Sequence, residues 1–189
     1  MTYYQFFGVA APIISLIAFV PYLKSIFKGE TKPSAASWWT WAILALVATT
    51  SAWVGGAPWP VLLLPGWLFV SQLGVAILSI KYGDNHWDKK NKVYVGGAIL
   101  SILIWIVTGN PLIALGLTIL SDLFASMPNF RHVARNPEQE DKLAWSLGWF
   151  SGLFVILAIQ HWSFVESAWA IYFILNYTVI MYFIYRKRG

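Results

Sequence analysis

Seven apolar stretches, each close to the length that crosses a lipid bilayer, follow one another along this chain of 189 residues. A transmembrane helix needs about 20 consecutive, mainly apolar residues, so these stretches predict seven transmembrane helices. The connections between them are short and leave no room for a separate soluble catalytic domain. The predicted spans cover roughly residues 3–27, 37–55, 61–80, 93–108, 112–134, 143–160 and 166–185.

The composition agrees with a membrane protein, because 58% of the residues are hydrophobic and only 11% are charged. The N-terminus has neither basic residues nor a small-residue cleavage site, so we expect a first span rather than a removed signal peptide. The chain has no cysteine, which excludes disulfides, iron–sulfur clusters and zinc–cysteine sites. The three histidines lie on separate connections without acidic neighbours at ligand spacing, so we expect no metal site and no cofactor.

The 13 basic residues predict how the chain sits in the membrane. All of them fall near the first, third or fifth predicted connection or in the C-terminal tail. Cytoplasmic loops carry an excess of Lys and Arg, so we expect the N-terminus outside and the C-terminus in the cytoplasm. We expect the plasma membrane of a prokaryote. The net charge of +5 then reflects topology, and we expect no nucleic-acid partner.

Two parts of the chain share a pattern at a constant offset of 107 residues, which predicts an internal repeat. Repeats of this length in a membrane chain are typical of transporters built from two related bundles. We predict an all-α integral membrane protein whose seven spans form two parallel three-helix bundles, 1–82 and 110–189, joined by a linker helix at 83–109. The matched pairs are Pro21/Pro128, Lys24/Arg131, Lys28/Arg135 and Trp38/Trp145.

Capping residues mark the ends of several predicted helices. Gly29 is placed to end the first helix, and Asn110, followed by a proline, is placed to begin the fifth. Ser163 and Glu166 are spaced as a capping box that begins the seventh helix.

This three-plus-one-plus-three plan, with a late proline in helices 1 and 5, resembles the PQ-loop and SWEET superfamily of transporters. The dipeptide Pro-Gln that names the superfamily is replaced by Pro21-Tyr22 and by Pro128-Asn129. Helices 2 and 6 also lack the prolines of the cytoplasmic gate in sugar-transporting SWEETs. The resemblance implies alternating access with hinges at Pro21 and Pro128, although a proline in a helix can equally be a static kink. It does not carry sugar specificity over to this chain.

Asp122 is the only acidic residue deep inside a predicted span. Intramembrane carboxylates are costly, and they usually face a cavity, pair with another group or relay protons. Asp122 shares a helical face with Ser126 and Asn129, and the matching stripe of helix 1 contains Ser15 and Tyr22. We predict that these residues bind substrate and that Asp122 couples transport to protons. The alternative is an interhelical hydrogen bond that holds the bundle together.

Two amides complete the predicted site. The resemblance to SWEETs implies that Asn176, in helix 7, faces a central pocket. The repeat offset pairs Asn176 with Phe69, and Gln72, one turn further on, is a candidate substitute. A helix–helix hydrogen bond is the alternative for both amides. We assign most of the 12 tryptophans, Trp38 among them, to the membrane interface or to packing, and expect one or two of the inner ones to contact a ligand.

The residues and the resemblance together predict a SWEET-like or PQ-loop-like transporter or facilitator of a small polar solute. A sugar, an amino acid or a nucleoside-like compound fits, and bacterial nicotinamide-riboside transporters have a similar layout. The rival is a receptor or sorting protein of KDEL-receptor-like architecture without transport activity, although no buried Arg or Lys could clamp a peptide terminus. We do not expect an enzyme, because Asp122 lacks a second carboxyl, a nucleophile or a metal cluster beside it. Membrane lipid is the other expected partner, and the oligomeric state is open.

Overall fold

The computed structural model describes residues 1–29, 33, 35–83, 89–135, 137 and 142–186, and for some helical residues, including Pro128 and Asn129, it describes only the backbone. These residues form seven α-helices and no β-strand. The helices are α1 (Tyr3–Phe27), α2 (Ala35–Val54), α3 (Trp59–Tyr82), α4 (Lys89–Thr108), α5 (Pro111–Arg135), α6 (Lys142–Leu157) and α7 (Phe164–Tyr185). The all-α prediction is confirmed for the described part of the chain.

Among the described residues, three helical segments are long and apolar enough to cross a membrane, namely Tyr3–Lys24, Trp59–Tyr82 and Phe164–Tyr185. Two shorter segments, Pro111–Ser126 and Lys142–Leu157, are also apolar. Many large apolar side chains on these helices are exposed on the outside of the bundle, where lipid would cover them. These features indicate a membrane-embedded protein, and the full set of seven spans stays a prediction.

Caps begin and end helices where the sequence predicts them. Gly29 follows α1 with a φ of 75°, a left-handed conformation that glycine adopts without steric cost. Asn110 begins α5, because its Oδ1 accepts hydrogen bonds from the backbone N–H groups of Leu112 at 2.9 Å and Ile113 at 3.4 Å. Both caps are confirmed.

The predicted capping box of α7 is only half formed. Ser163 Oγ accepts a hydrogen bond from the Glu166 N–H at 3.4 Å, as predicted. The Glu166 carboxylate turns away from Ser163, and it accepts the backbone N–H groups of Gln160 and His161, both at 3.0 Å. Glu166 is therefore a buried structural group that fixes the connection between α6 and α7.

The third helix of each half of the chain packs against both of the other two. Thus α3 contacts α1 and α2, and α7 contacts α5 and α6. Between the halves, α1 packs against α6 and α2 against α5, while α4 packs on α2 and α5. Apart from α4, this set of contacts is unchanged when α1, α2 and α3 are exchanged with α5, α6 and α7.

Side-chain contacts fix the relative directions of the helices. Gly8 approaches Pro60 near the beginnings of α1 and α3, and Phe27 contacts Tyr82 near their ends, so these two helices run parallel. In the same way α5 runs parallel to α7, and α6 runs antiparallel to α1 and α7. The contacts that show this are Ser126–Asn176, Ala134–Arg186, Phe7–Phe154, Ala11–Ser151, Trp149–Thr178 and Ser146–Tyr185.

These directions bring exposed basic side chains to one end of the bundle, which we call the basic end. The last turns of α1, α3 and α7 and the first turn of α6 meet there. The described basic side chains of these turns are Lys24, Lys28, Lys81, Lys142 and Arg186. The side of the membrane that this end faces stays a prediction.

The pattern of burial repeats at the predicted offset of 107 residues in two pairs of helices. This agreement is independent of the residue identities from which the offset was read. In α1 and α5 the matched buried residues are Gly8/Leu115, Ala11/Thr118 and Ile26/Val133. In α2 and α6 they are Leu44/Ser151, Ala45/Gly152 and Ala48/Val155.

In α3 and α7 the match shifts to an offset of 105 residues, because two fewer residues separate Trp145 from α7 than separate Trp38 from α3. At this offset the position that matches Asn176 is Ser71 and not Phe69. The matched buried residues of these helices are Val61/Glu166, Pro65/Ala170, Val75/Ile180 and Ser79/Ile184.

Candidate functional site

A cavity of about 530 Å³ lies in the centre of the bundle. Of the seven described helices, all except α4 contribute to its wall. Its volume is within the range of about 300–1,000 Å³ that is usual for small-molecule sites. Positions of the two halves that match at the offset of 107 residues both belong to its wall, and the pairs are Ser15/Asp122, Phe19/Ser126, Ser37/Ala144, Trp38/Trp145 and Trp41/Gly148.

Most of the residues that the sequence singles out line this one cavity. They are Asp122, Ser126, Asn176, Gln72, Ser15 and Tyr22. The side chain of Asn129 lies outside the described part of the chain, although its backbone belongs to α5. The structure thus brings together polar residues from α1, α3, α5 and α7, and their role in binding stays a prediction.

A hydrogen-bond network joins α5 to α7 at the cavity wall. The hydroxyl of Tyr172 donates to the Asp122 carboxylate. The amide nitrogen of Asn176 donates to the Tyr172 oxygen at 2.9 Å and to Ser126 Oγ at 2.8 Å. An amide nitrogen carries two hydrogens, so Asn176 can serve both acceptors. For Asp122 and Asn176 the sequence left two alternatives, a place at a cavity and an interhelical hydrogen bond. Both residues line the cavity, and both form an interhelical hydrogen bond.

Tyr172 is a residue of this network that the sequence interpretation missed. It lies four residues before Asn176, and both side chains therefore project from the same face of α7. A tyrosine one turn from an intramembrane asparagine is the signal that could have found it.

The cavity wall carries the charge of Asp122. Among the described residues that line the cavity, Asp122 is the only charged one, and there is no Lys, Arg or His. In the same part of the chain, no cluster of His, Asp or Glu is positioned to hold a metal ion. The hydrogen bond from Tyr172 solvates the carboxylate without neutralising it.

Gln72, on α3, is a further polar residue of the cavity wall. Its Oε1 is buried and has no hydrogen-bond partner among the described residues, and Gln72 belongs to the cavity wall. Buried polar atoms are nearly always hydrogen-bonded, so an unpartnered acceptor at a cavity is a candidate contact for a ligand.

Aromatic rings form much of the remaining wall. On α7, Phe173 stacks on Trp169 with ring centroids 5.0 Å apart, and Tyr177 stacks on Phe173 at 4.4 Å. Trp145 of α6 lies 5.2 Å from Tyr177. These rings are on the same half of the bundle as Asp122.

A second group of rings lies on α1 and α2. Trp38 is at its centre, with ring centroids 5.2 Å from Tyr22 and 5.4 Å from Trp41. The assignment of Trp38 to the membrane interface missed its place at the cavity wall. The sequence repeat pairs Trp38 with Trp145, and both tryptophans line the cavity. The repeat was therefore a better indication of the place of Trp38 than its position near a span end.

The cavity is closed at one end of the bundle and extends towards the other. An apolar cluster with members from both halves fills the end opposite the basic end; Ala52, Ala57, Val61, Val155, Ala158 and Ile159 belong to it. In the other direction the cavity wall includes Ser37 and Ala144, each in the first turn of a helix that begins at the basic end. The cavity wall therefore extends towards the basic end.

The predicted hinges lie inside helices. Pro21 is within α1, and the helix continues beyond it to Phe27. The backbone of α5 is helical through Pro128, whose side chain lies outside the described part of the chain. Pro21 precedes Tyr22 of the cavity wall, so a bend there would move that wall, and the hinge role stays a prediction.

Comparisons with family models, curated proteins and solved structures give no match to this chain. The resemblance to the PQ-loop and SWEET superfamily stays a prediction from the sequence.

Proposed function

We propose that this protein is a membrane transporter or facilitator that moves a small polar solute by alternating access. The observation that supports this most directly is the central cavity, which lies between two sets of three helices with matching contacts and carries one intramembrane carboxylate. A cavity that is closed at one end of the bundle and extends towards the other has the shape expected of one state in an alternating-access cycle.

The architecture that goes with this proposal is two parallel three-helix bundles, α1–α3 and α5–α7, with α4 as the linker that keeps them parallel. The exchangeable contacts and the repeated burial support it. Alternating access would then be a rocking of one bundle against the other around Asp122 and its neighbours.

Exchange of solutes across a membrane tests the proposal. Purified protein in liposomes is expected to exchange at least one class of small polar solute that it also binds, as measured by counterflow of labelled compounds. Sugars, amino acids, nucleosides and small amines form the panel. Binding without exchange for every class would overturn the proposal and favour the receptor alternative, because a receptor needs no passage across the membrane.

The proposed orientation places the basic end in the cytoplasm and the N-terminus outside. Single cysteines in place of His161 and Lys81 test it, since both side chains are exposed and the chain has no other cysteine. In intact cells, an impermeant thiol reagent is expected to label position 161 and to leave position 81 unlabelled until the cells are opened. Labelling of both from outside would contradict the orientation.

The hinge proposal predicts a kinetic effect for Pro21→Ala and for Pro128→Ala. Each change restores a backbone hydrogen bond that proline cannot donate, which stiffens the helix. Exchange is expected to slow several-fold while equilibrium solute binding stays near the wild-type value. Pro12→Ala, a change to the other proline inside α1, is the control. Wild-type exchange rates in both hinge variants would show that the prolines are static kinks.

A further inference from the structure

We infer that the solute of this cavity is an organic cation without an anionic group, with a tertiary or quaternary ammonium head. The inference rests on the proposed function, because it assigns a solute class to the same cavity. Three observations carry it: the charge of the wall, its aromatic rings and the absence of basic side chains from its described residues.

The charge comes first. Asp122 lies at the cavity without a cationic partner among the described residues that surround it. A carboxylate in a low-dielectric site attracts a nearby positive charge far more strongly than it would in water. Tyr172 donates a hydrogen bond to Asp122 but brings no positive charge. A cationic solute is the partner that would neutralise the site.

The aromatic wall favours an alkylated cation over a strongly hydrated one. A quaternary ammonium group has no N–H to donate and is held by the faces of aromatic rings, of which Trp is the best. A primary ammonium would need several acceptors to replace its water. The aromatic residues of the wall are Phe19, Tyr22, Trp38, Trp41, Trp145, Trp169, Tyr172, Phe173 and Tyr177.

The missing basic groups narrow the class further. An amino acid brings its own carboxylate, and the described wall offers no Lys, Arg or His to pair with it. A sugar or a neutral nucleoside would leave the charge of Asp122 without a counter-ion. A cation with hydroxyl or amide groups fits better, because the wall includes Gln72 and Ser15, whose side chains can hydrogen-bond polar substituents.

Matched probes test the inference on the whole protein in lipid nanodiscs. Choline and 3,3-dimethylbutan-1-ol have the same shape and differ in one atom, a charged nitrogen in place of a carbon. Trimethylglycine keeps the trimethylammonium head of choline and has a carboxylate in place of its hydroxymethyl group. Benzyltrimethylammonium and neopentylbenzene form a larger pair. Binding is measured by calorimetry and by the shift of the unfolding temperature. We expect each cation to bind at least about tenfold more tightly than its neutral isostere, and trimethylglycine to bind no better than that isostere.

Two variants assign the effect to residues. Asp122→Asn is expected to reduce the preference for the cation to less than about threefold, and Trp38→Leu is expected to weaken the binding of both cations. Trp53→Leu, at an exposed tryptophan that is not part of the cavity wall, is expected to change neither. The comparison of isosteres on the wild-type protein decides the question even if Asp122→Asn does not fold.

The outcomes separate this inference from the proposed function. Exchange of neutral or zwitterionic solutes without a preference for cations would overturn the inference and leave transport standing. Selective cation binding without exchange of any solute would support the inferred ligand class and overturn transport. If neither cation binds more tightly than its isostere and nothing is exchanged, both are wrong.

Discussion

Asp122→Asn is expected to abolish the dependence of solute exchange on pH. A single carboxyl that must be charged to hold a cation, and neutral to release it, changes the apparent affinity by at most about tenfold per pH unit. The sign follows from the charge: wild-type affinity for a cation rises with pH, because protonation of Asp122 removes the attraction. Asn keeps the shape and cannot titrate, so any residual exchange is expected to be flat with pH.

The other groups at the cavity do not replace Asp122 in this role. The remaining titratable side chains among the described lining residues are tyrosines, namely Tyr22, Tyr172 and Tyr177. Tyrosines are neutral throughout the physiological range of pH. The lysines of the basic end are not among the described residues of the cavity wall.

The hydrogen-bond network predicts that the variant folds. Asn at position 122 offers an oxygen that can accept from Tyr172, and it leaves the bonds of Asn176 to Tyr172 and Ser126 in place. Ser126→Ala is the matched control, because it removes a member of the network and keeps the carboxylate, so its exchange is expected to remain dependent on pH. Loss of folded Asp122→Asn protein, with an unchanged pH profile in whatever exchange remains, would make Asp122 a structural group only.

The helix positions could be predicted from the sequence because length, hydrophobicity and caps agree at most ends. Where they differ, a local reason is visible. The sequence predicts that α4 begins at residue 93, whereas the helix begins at Lys89. The reason is that lysine side chains at a membrane edge extend to water while their backbone stays helical. Prediction ended α6 at residue 160, whereas the helix ends at Leu157, because the Glu166 carboxylate takes the N–H groups of Gln160 and His161.

The candidate site could be predicted only in its polar part. Asp122 and Asn176 stand out because polar residues are rare in apolar helices. Tyr172 and Trp38 do not stand out in a chain with 12 tryptophans and 9 tyrosines, most of which have no special role. The pairing of Asn176 with Phe69 came from applying one offset of 107 residues along the whole chain. α7 begins two residues earlier than that offset places it, so the pairing does not follow the helix bounds. The helix bounds and the burial pattern both show that shift.

Gly148 lets α6 approach the stacked rings of Trp169, Phe173 and Tyr177, which we call the aromatic column of α7. Gly148 and Gly152 lie one turn apart, and small residues at this spacing let membrane helices pack closely. A methyl group at Gly148 would overlap the ring of Tyr177. At Gly152 it would lie 3.0 Å from the Phe173 ring, a tighter contact than side chains usually make. The two glycines thus hold the rings in their stack.

Gly148→Ala is therefore expected to destabilise the protein by about 1–3 kcal/mol, the usual cost of overpacking, and to weaken solute binding. Tyr177 stacks on Phe173 at 4.4 Å and lies 5.2 Å from Trp145, so its ring can leave the new methyl group only by breaking these contacts or by entering the cavity. The unfolding temperature and the affinity for the best-bound solute are measured on the same preparation.

Gly116→Ala is the matched control for this change. Gly116 is also a helical glycine, in α5, and no heavy atom lies within 4 Å of the position that its Cβ would take. Alanine there removes backbone freedom without a clash, so stability is expected to stay level or to rise by up to about 1 kcal/mol. Gly152→Ala should lie between the two. If Gly148→Ala is as stable as the control and binds solute equally well, Tyr177 is free to move, and the aromatic column of α7 is not the fixed wall on which solute recognition depends.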